Sequence, residues 1–89
     1  MARSKRWPSW WEWELELSPH ILKRMLDRRL TELDLREMLE RASSCRPAAV
    51  EGRWTIETRH RNLNWEVIVE PDPETVTLVV VTAYPLSDA

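Results

Sequence analysis

The amino-terminal third of the chain changes from a two-residue to a helical pattern of apolar positions. Residues 11–17 alternate apolar and acidic side chains, which is typical of a strand with one buried and one exposed face. Ser18 is then a good N-cap and Pro19 a good first helical residue. Apolar side chains follow at helical spacing at Ile21, Leu22, Met25 and Leu26. The pattern therefore predicts a strand that leads directly into a helix.

A second helix is predicted immediately after the first. Residues 31–34, Thr-Glu-Leu-Asp, have the spacing of a capped helix start. Apolar residues then recur at i, i+3, i+4 and i+7, which predicts an amphipathic helix that runs to about Ala42. We expect the two helices to form a hairpin, followed by a loop over residues 43–47. The apolar positions of the second helix are Leu35, Met38, Leu39 and Ala42.

The rest of the chain favours strands. Residues 53–59, 64–70 and 75–84 have the composition of strands. Residues 75–82 are β-branched at nearly every position, which suits a central strand. Residues 71–74, Pro-Asp-Pro-Glu, are a turn signal, so the last two strands should form an antiparallel hairpin. The predicted class is α+β in the order β-α-α-β-β-β: a strand, a helical hairpin and a three-stranded antiparallel meander, with the helices on one face of the sheet.

Length and composition limit the architecture. The 89 residues are 43% hydrophobic and 31% charged, which predicts one globular domain with a small core. We expect this domain over residues 11–86, between a basic, tryptophan-rich arm at 1–10 and a tail at 87–89. No apolar run approaches the roughly 20 residues that span a bilayer, and the start lacks the apolar stretch of a signal peptide. A cytoplasmic domain is expected, unless it was cut from a larger secreted protein.

Charge and cysteine content narrow the chemistry further. The net charge is only -2, but residues 1–46 hold ten of the 13 Lys and Arg. Such a bias is usual for a solvated helix face, and a nucleic-acid binder is expected to be more basic overall. Cys45 is the only cysteine, so no disulfide forms within the chain, and no familiar zinc pattern is available. We predict no metal and no cofactor, and an inert thiol at Cys45.

Two histidines with neighbouring arginines are the candidates for catalysis. His20 lies in the first turn of the first predicted helix, and His60 lies in a second basic cluster. Cleavage of RNA without a metal requires a proton to leave the 2′-hydroxyl, a proton to reach the 5′-oxygen and the phosphorane charge to be stabilised. Histidine suits the first two steps and arginine the third, although a solvated helix face and a polar turn explain the same residues. The neighbouring arginines are Arg24, Arg28, Arg59 and Arg61.

Several short motifs support a family resemblance. They are Ser18-Pro19-His20 with Arg24-Met25 and Arg28, Thr-Glu-Leu-Asp at 31–34, Trp-Glu-Val-Ile-Val-Glu at 65–70 and Val-Val-Val-Thr-Ala-Tyr at 79–84. Together with the element order they resemble the small RelE-like toxin domains and, more loosely, the barnase/EndoU/colicin/RelE group of ribonucleases. The resemblance covers roughly residues 11 to 85.

This resemblance implies metal-independent cleavage of an RNA substrate in a cytoplasm, including that of a target cell reached as part of a larger toxin. It also implies an antitoxin or immunity protein as partner. The site would combine a histidine on the first helix, basic residues on the sheet and a hydroxyl on the last strand. By position these are His20, one or more of Arg59, His60 and Arg61, and Thr82 or Tyr84, with Arg24 and Arg28 as phosphate-binding residues.

The tryptophans suggest a partner surface. Trp11 and Trp13 share a strand face with Leu15 and are predicted to be core residues, which leaves Trp7 and Trp10 to stack on bases or contact a partner protein.

Three functions remain open: a toxin-like endoribonuclease, a toxin of the same fold that binds a protein target as the ParE-like branch binds DNA gyrase, and a plain interaction module. We expect the catalytic candidates to converge on one open cleft; scatter over opposite faces would favour binding.

Overall fold

The computed structural model describes residues 8–86, which form an α+β fold with two α-helices and one five-stranded mixed sheet. The predicted class and the approximate element order are confirmed. In chain order the elements are a short 3-10 helix (Ser9–Glu12), β1 (Glu14–Leu17), α1 (Pro19–Arg28), α2 (Glu32–Glu40), β2 (Ser44–Pro47), β3 (Trp54–His60), β4 (Leu63–Asp72) and β5 (Thr77–Pro85).

Both helices begin where their capping residues predict. The Ser18 hydroxyl accepts the N–H of Ile21 at 3.1 Å, and proline occupies the first helical position of α1. At the start of α2, the Thr31 hydroxyl accepts the N–H of Asp34 at 3.1 Å, while the Asp34 carboxylate accepts the N–H of Thr31 at 2.9 Å. Each cap therefore satisfies backbone donors that the helix itself leaves without partners.

The sheet has the strand order β1-β5-β4-β3-β2. β1 runs parallel to β5, and the other neighbours are antiparallel, so the predicted meander and the central position of β5 are confirmed. The predicted loop at residues 43–47 is wrong, because Ser44–Pro47 pairs with β3 as an edge strand. Its four residues include a proline and show no apolar alternation, and proline within a sheet is confined to such edges.

The boundaries of β1 and of the turn between β4 and β5 also differ from the prediction. The first strand begins at Glu14, because residues 9–12 form a 3-10 turn in which the N–H of Trp13 donates to the carbonyl of Trp10 at 3.1 Å. β4 continues through Asp72, and the turn into β5 follows it. The Asp72 carboxylate begins this turn by accepting the N–H of Glu74 at 3.1 Å.

Alternate residues of the sheet give it two different faces. The buried apolar side chains of the sheet and those of both helices form one hydrophobic cluster. We call the side of the sheet that joins this cluster the covered face, and the opposite side the outer face. A β-bulge between Ile68 and Val69 shifts the pairing with β5 by one residue, so Thr82 and Tyr84 lie on the outer face. The cluster includes Ile21, Met25, Leu35, Met38, Leu39, Ile56, Val67, Val69, Leu78 and Val80.

Candidate functional site

The predicted basic cluster at residues 59–61 does not form one site. Arg59 is exposed and lies opposite Asn64 in the adjacent strand, and its guanidinium donates to the Asn64 side-chain oxygen at 3.4 Å. His60, the next residue, points to the covered face, since successive side chains of a strand alternate. Arg61 has left the strand and lies in the turn. Three residues that are adjacent in sequence therefore face three different environments.

Arg61 connects the β3–β4 turn to the end of α1. Its guanidinium donates to the carbonyls of Arg28 at 3.2 Å and Arg29 at 2.8 Å, and it lies 3.8 Å from the Asp34 carboxylate. Carbonyls at a helix C-terminus lack partners within the helix and carry partial negative charge, so a guanidinium is well suited to them. The backbone φ of Arg61 is 54°, a left-handed conformation that a two-residue hairpin turn requires. We conclude that Arg61 stabilises the fold, whereas the resemblance implies a place for it among the catalytic residues.

His60 is buried beneath the helical layer, with 8% of its surface exposed. Its ring contacts Trp65 edge to face at a centroid distance of 5.8 Å, and the Trp65 indole donates to the His60 carbonyl at 3.1 Å. The Nε2 atom has no hydrogen-bond partner among residues 8–86. This imidazole is not accessible to an RNA substrate, so its predicted catalytic role is not compatible with the structure.

His20 is exposed in the first turn of α1, two residues after Ser18, which contacts β5. The backbone N–H of Ser18 donates to the carbonyl of Val80 at 3.2 Å, and the Ser18 hydroxyl donates to the carbonyl of Val81 at 3.0 Å. These bonds fix the first turn of α1 against β5, immediately before Thr82. Arg24 is exposed one turn further along, whereas Arg28 is half-buried and its Nε atom lacks a partner among the described residues.

A row of polar side chains crosses the outer face. Arg46 of β2 donates to the carboxylates of Glu57 and Glu66, which lie directly opposite each other on β3 and β4. Two opposed carboxylates would repel, and the guanidinium between them removes this repulsion. The phenol of Tyr84 donates to Glu66 at 2.7 Å. This hydrogen bond, followed by burial and the charge of Glu66, raises the pKa of Tyr84.

Sequence reasoning missed the first three residues of this row. The sequence predicts Glu57 and Glu66 only as members of strands, and it predicts Arg46 in a loop. Strand pairing supplies the signal, because a register that sets two carboxylates opposite each other requires a nearby cation. That register depends on the β3–β4 turn, which the composition of the strands alone does not specify.

The outer face has more negative than positive side chains. Three guanidiniums lie on it, and two of them are paired with carboxylates. An excess of carboxylates repels the phosphates of RNA, and Tyr84 is already engaged by one of them. The arginines are Arg46, Arg53 and Arg59, and the carboxylates are Glu14, Glu16, Glu57, Glu66, Glu70 and Asp72.

The predicted convergence on one cleft is therefore wrong for part of the set. His60 lies on the covered face, Tyr84 on the outer face, and Arg61 is bound to the end of α1. Within residues 8–86, no hydrogen bond or ion pair joins His20 to another candidate. By the criterion set out from the sequence, this scatter favours a binding function over catalysis.

No family model, curated protein or solved structure matches this chain. The resemblance to RelE-like toxins consequently stays a prediction, and the function has to be argued from the geometry. Neither helix in residues 8–86 is long and apolar enough to cross a membrane. Over the same residues, no group of three or more His, Cys, Asp or Glu side chains is close enough together to hold a metal ion.

The exposed leucines of α1 form the most distinctive part of its surface. Leu22 and Leu26 are one turn apart, with 47% and 82% of their surfaces exposed. At 100° per residue they share one flank of the helix, on the side opposite His20 and Arg24. We call this the leucine flank. Lys23 and Arg29, both exposed, border it.

The remaining candidates are structural or lie outside the described residues. Trp10 is half-buried and packs against Trp11 and Trp54, with ring centroids 6.0 and 5.6 Å away, so this ring contributes to the fold. Trp7, the other predicted partner contact, lies outside residues 8–86. Cys45 is half-buried in β2, and burial raises the pKa of its thiol, which disfavours the reactive thiolate.

Proposed function

We propose that this protein is a binding module of the RelE/ParE-like type, and that the leucine flank of α1 binds an acidic amphipathic segment of a protein partner. The observation that carries the proposal is the exposure of Leu22 and Leu26 on one flank of a helix. Burial of a leucine side chain contributes about 1.5–3 kcal/mol, so two leucines supply a substantial share of a binding free energy. An apolar stripe with polar borders is a common way for one helix to contact another.

Charge indicates the chemistry of the partner. α1 and its C-cap carry four cations and one carboxylate, although the whole chain has a net charge of -2. An acidic segment would therefore be attracted to α1 and repelled by the carboxylate-rich outer face, which fixes its position and orientation. An antitoxin or immunity protein is the kind of partner that the family resemblance implies. The charged residues are Lys23, Arg24, Asp27, Arg28 and Arg29.

Site-specific photocrosslinking in living cells tests this proposal. A photoreactive amino acid at position 26 should form an adduct with a protein, because Leu26 is the more exposed of the two leucines. The same amino acid at Val50, an exposed apolar residue outside α1, is the matched control. We expect the peptide crosslinked at position 26 to be acidic, and charge reversal of Lys23 and Arg29 to remove the adduct. Equal crosslinking at both positions, or an adduct with RNA alone, would contradict the proposal.

One contact supports metal-independent RNA cleavage as a second candidate function. The hydrogen bond from Ser18 to the Val81 carbonyl at 3.0 Å means that the turn carrying His20 begins beside Thr82. In this scheme His20 would move the proton and Arg24 would bind the phosphate, without the Thr82 hydroxyl, which lies on the outer face. This site uses the side of α1 opposite the leucine flank, so the two functions can be separated by mutation.

Expression in a test cell distinguishes the candidates. If the protein cleaves RNA, His20→Ala should abolish both toxicity and new RNA ends, whereas Leu26→Ala should leave cleavage intact. The matched control is Glu37→Ala, which removes an exposed polar side chain from α2, outside both candidate surfaces. Toxicity that survives His20→Ala would remove His20 from the mechanism. Toxicity without RNA cleavage would favour the binding function.

A further inference from the structure

A pocket of about 460 Å³ lies away from α1, between the end of α2 and the strands β3 and β4. We propose that this pocket binds a small organic phosphate, with Arg41 and Arg59 on the phosphate group and the body of the ligand against Trp65 and Leu86. The volume is within the range of about 300–1,000 Å³ that small-molecule sites occupy. Arg41, Ser43, Glu57, Arg59, Asn64 and Trp65 are among its lining residues.

The two arginines of this pocket differ from the paired arginines of the sheet. Arg46 and Arg53 each contact carboxylates within 3.1 Å, whereas Arg41 and Arg59 have no carboxylate partner within residues 8–86. Within residues 8–86, the Arg59 guanidinium makes one hydrogen bond, a long one to the Asn64 side-chain oxygen at 3.4 Å. Both guanidiniums are therefore available to an anion.

The negatively charged and partly charged groups beside the pocket already have partners within the protein. Glu57 also lines the pocket, but its carboxylate is paired with Arg46. The last turn of α2 approaches the pocket, and its carbonyls could repel an anion. Their oxygens have partners, however: the N–H of Arg41 donates to the carbonyls of Glu37 and Met38, and the hydroxyl of Thr58 also donates to Met38. None of the other outer-face carboxylates in residues 8–86 lines the pocket, so its charged lining residues are the two guanidiniums and the paired Glu57.

The donors favour phosphate over carboxylate. Each guanidinium offers paired N–H groups in a planar fork, and one carboxylate is sufficient to occupy one fork. A phosphate monoester has three terminal oxygens and up to two charges, so it can accept from Arg41 and Arg59 together. The oxygen of the Asn64 amide accepts from Arg59, which leaves its NH₂ group free to donate.

The walls of the pocket are held in place before a ligand arrives. Arg59 and Asn64 are paired residues of β3 and β4, and the N–H of Leu86 donates to the Asn64 carbonyl at 2.7 Å. The Trp65 indole is fixed by its hydrogen bond to the His60 carbonyl. A preorganised site loses less conformational freedom on binding, which favours affinity for a small ligand.

Titration of the full chain with adenosine monophosphate, adenosine and inorganic phosphate tests the inference, with calorimetry and backbone amide shifts as the measurements. We expect adenosine monophosphate to bind saturably, inorganic phosphate to bind more weakly and adenosine not to bind. Arg59→Gln and Arg41→Gln should each weaken binding about tenfold, because each removes charge-assisted hydrogen bonds. Thermal unfolding of both variants confirms that they are folded.

Arg36→Gln is the matched control, since Arg36 is an exposed arginine of α2 that lies outside the pocket and outside α1. An equal loss of affinity in this variant would indicate non-specific attraction and overturn the inference. Equal binding of adenosine and its monophosphate, or no saturation at about 10 mM ligand, would also overturn it. The leucine flank is not involved, so failure of the proposed protein binding would leave these results unchanged.

Discussion

The two faces of the sheet are built by the same strands but are stabilised in different ways. On the covered face, Ile56, Val67 and Val80 are completely buried against the helices. On the outer face, Arg46 joins Glu57 and Glu66 through ion pairs that are partly exposed to solvent. Exposed ion pairs contribute about 0–1 kcal/mol each, which is less than burial of one large apolar side chain. The covered face therefore contributes most of the stability of the sheet.

The largest expected effect is a difference between two isoleucines. Ile56 lies on the covered face and is fully buried, whereas Ile68 lies on the outer face and is half-buried. Ile56→Ala should lower the free energy of unfolding by about 3 kcal/mol, since it leaves a cavity, and Ile68→Ala by about 1 kcal/mol. Urea denaturation of both variants measures this difference. Equal losses would mean that the outer face is as tightly packed as the covered face.

The next largest effect is expected for the loss of the Arg61 side chain, compared with the loss of the Arg59 side chain. Arg61→Ala removes two charged hydrogen bonds to the end of α1 and should cost about 1.5 kcal/mol of stability. Arg59→Ala removes one long hydrogen bond and should change stability by less than about 0.5 kcal/mol. Thermal unfolding of the two variants is the measurement. If Arg59→Ala destabilised the protein as much, Arg59 would belong to the framework and not to a ligand pocket.

The helix starts could be predicted from the sequence, whereas the positions of Arg59 and Arg61 could not. The caps at Ser18 and Thr31 act within three residues of their own position, so both helix starts could be predicted from composition. The run of basic residues at 59–61 could not be placed in the same way. A strand sends adjacent side chains to opposite faces, so neighbours in sequence become separated in space.

The candidate site was harder to predict than the fold because it depends on pairing between distant strands. β2 has no apolar alternation, and it becomes a strand only because β3 offers an edge. Arg46 reaches Glu66, 20 residues away in sequence, only after that pairing has formed. The exposure of Leu26 could not be predicted either. By its spacing Leu26 belongs to the predicted apolar stripe of α1, but only Ile21 and Met25 of that stripe are buried.

Alkaline pH should affect the outer face through Tyr84. The hydrogen bond to Glu66 raises the pKa of the phenol above its ordinary value of 10.0. A raised pKa in the folded state gives a stability that is complete below pH 10.0 and is lost as the pH rises through the folded pKa. Tyr84→Phe should therefore cost about 1 kcal/mol at neutral pH, and the difference from wild type should shrink under alkaline conditions. Urea unfolding across this range is the measurement, and a constant difference would contradict the assigned hydrogen bond.

Acidic pH should affect the helical layer through Asp34, with the smallest expected effect. The N–H of Thr31 binds the Asp34 carboxylate and lowers its pKa below the ordinary value of 3.8. A lowered pKa gives a stability that is present above pH 3.8 and is lost as the pH falls through the folded pKa. Asp34→Ala should cost about 0.5 kcal/mol at neutral pH and almost nothing in strong acid. Glu37→Ala, an exposed carboxylate of the same helix, should cost less throughout. If the stabilities of the two variants depended on pH in the same way, the capping box would not be the source of the acid sensitivity.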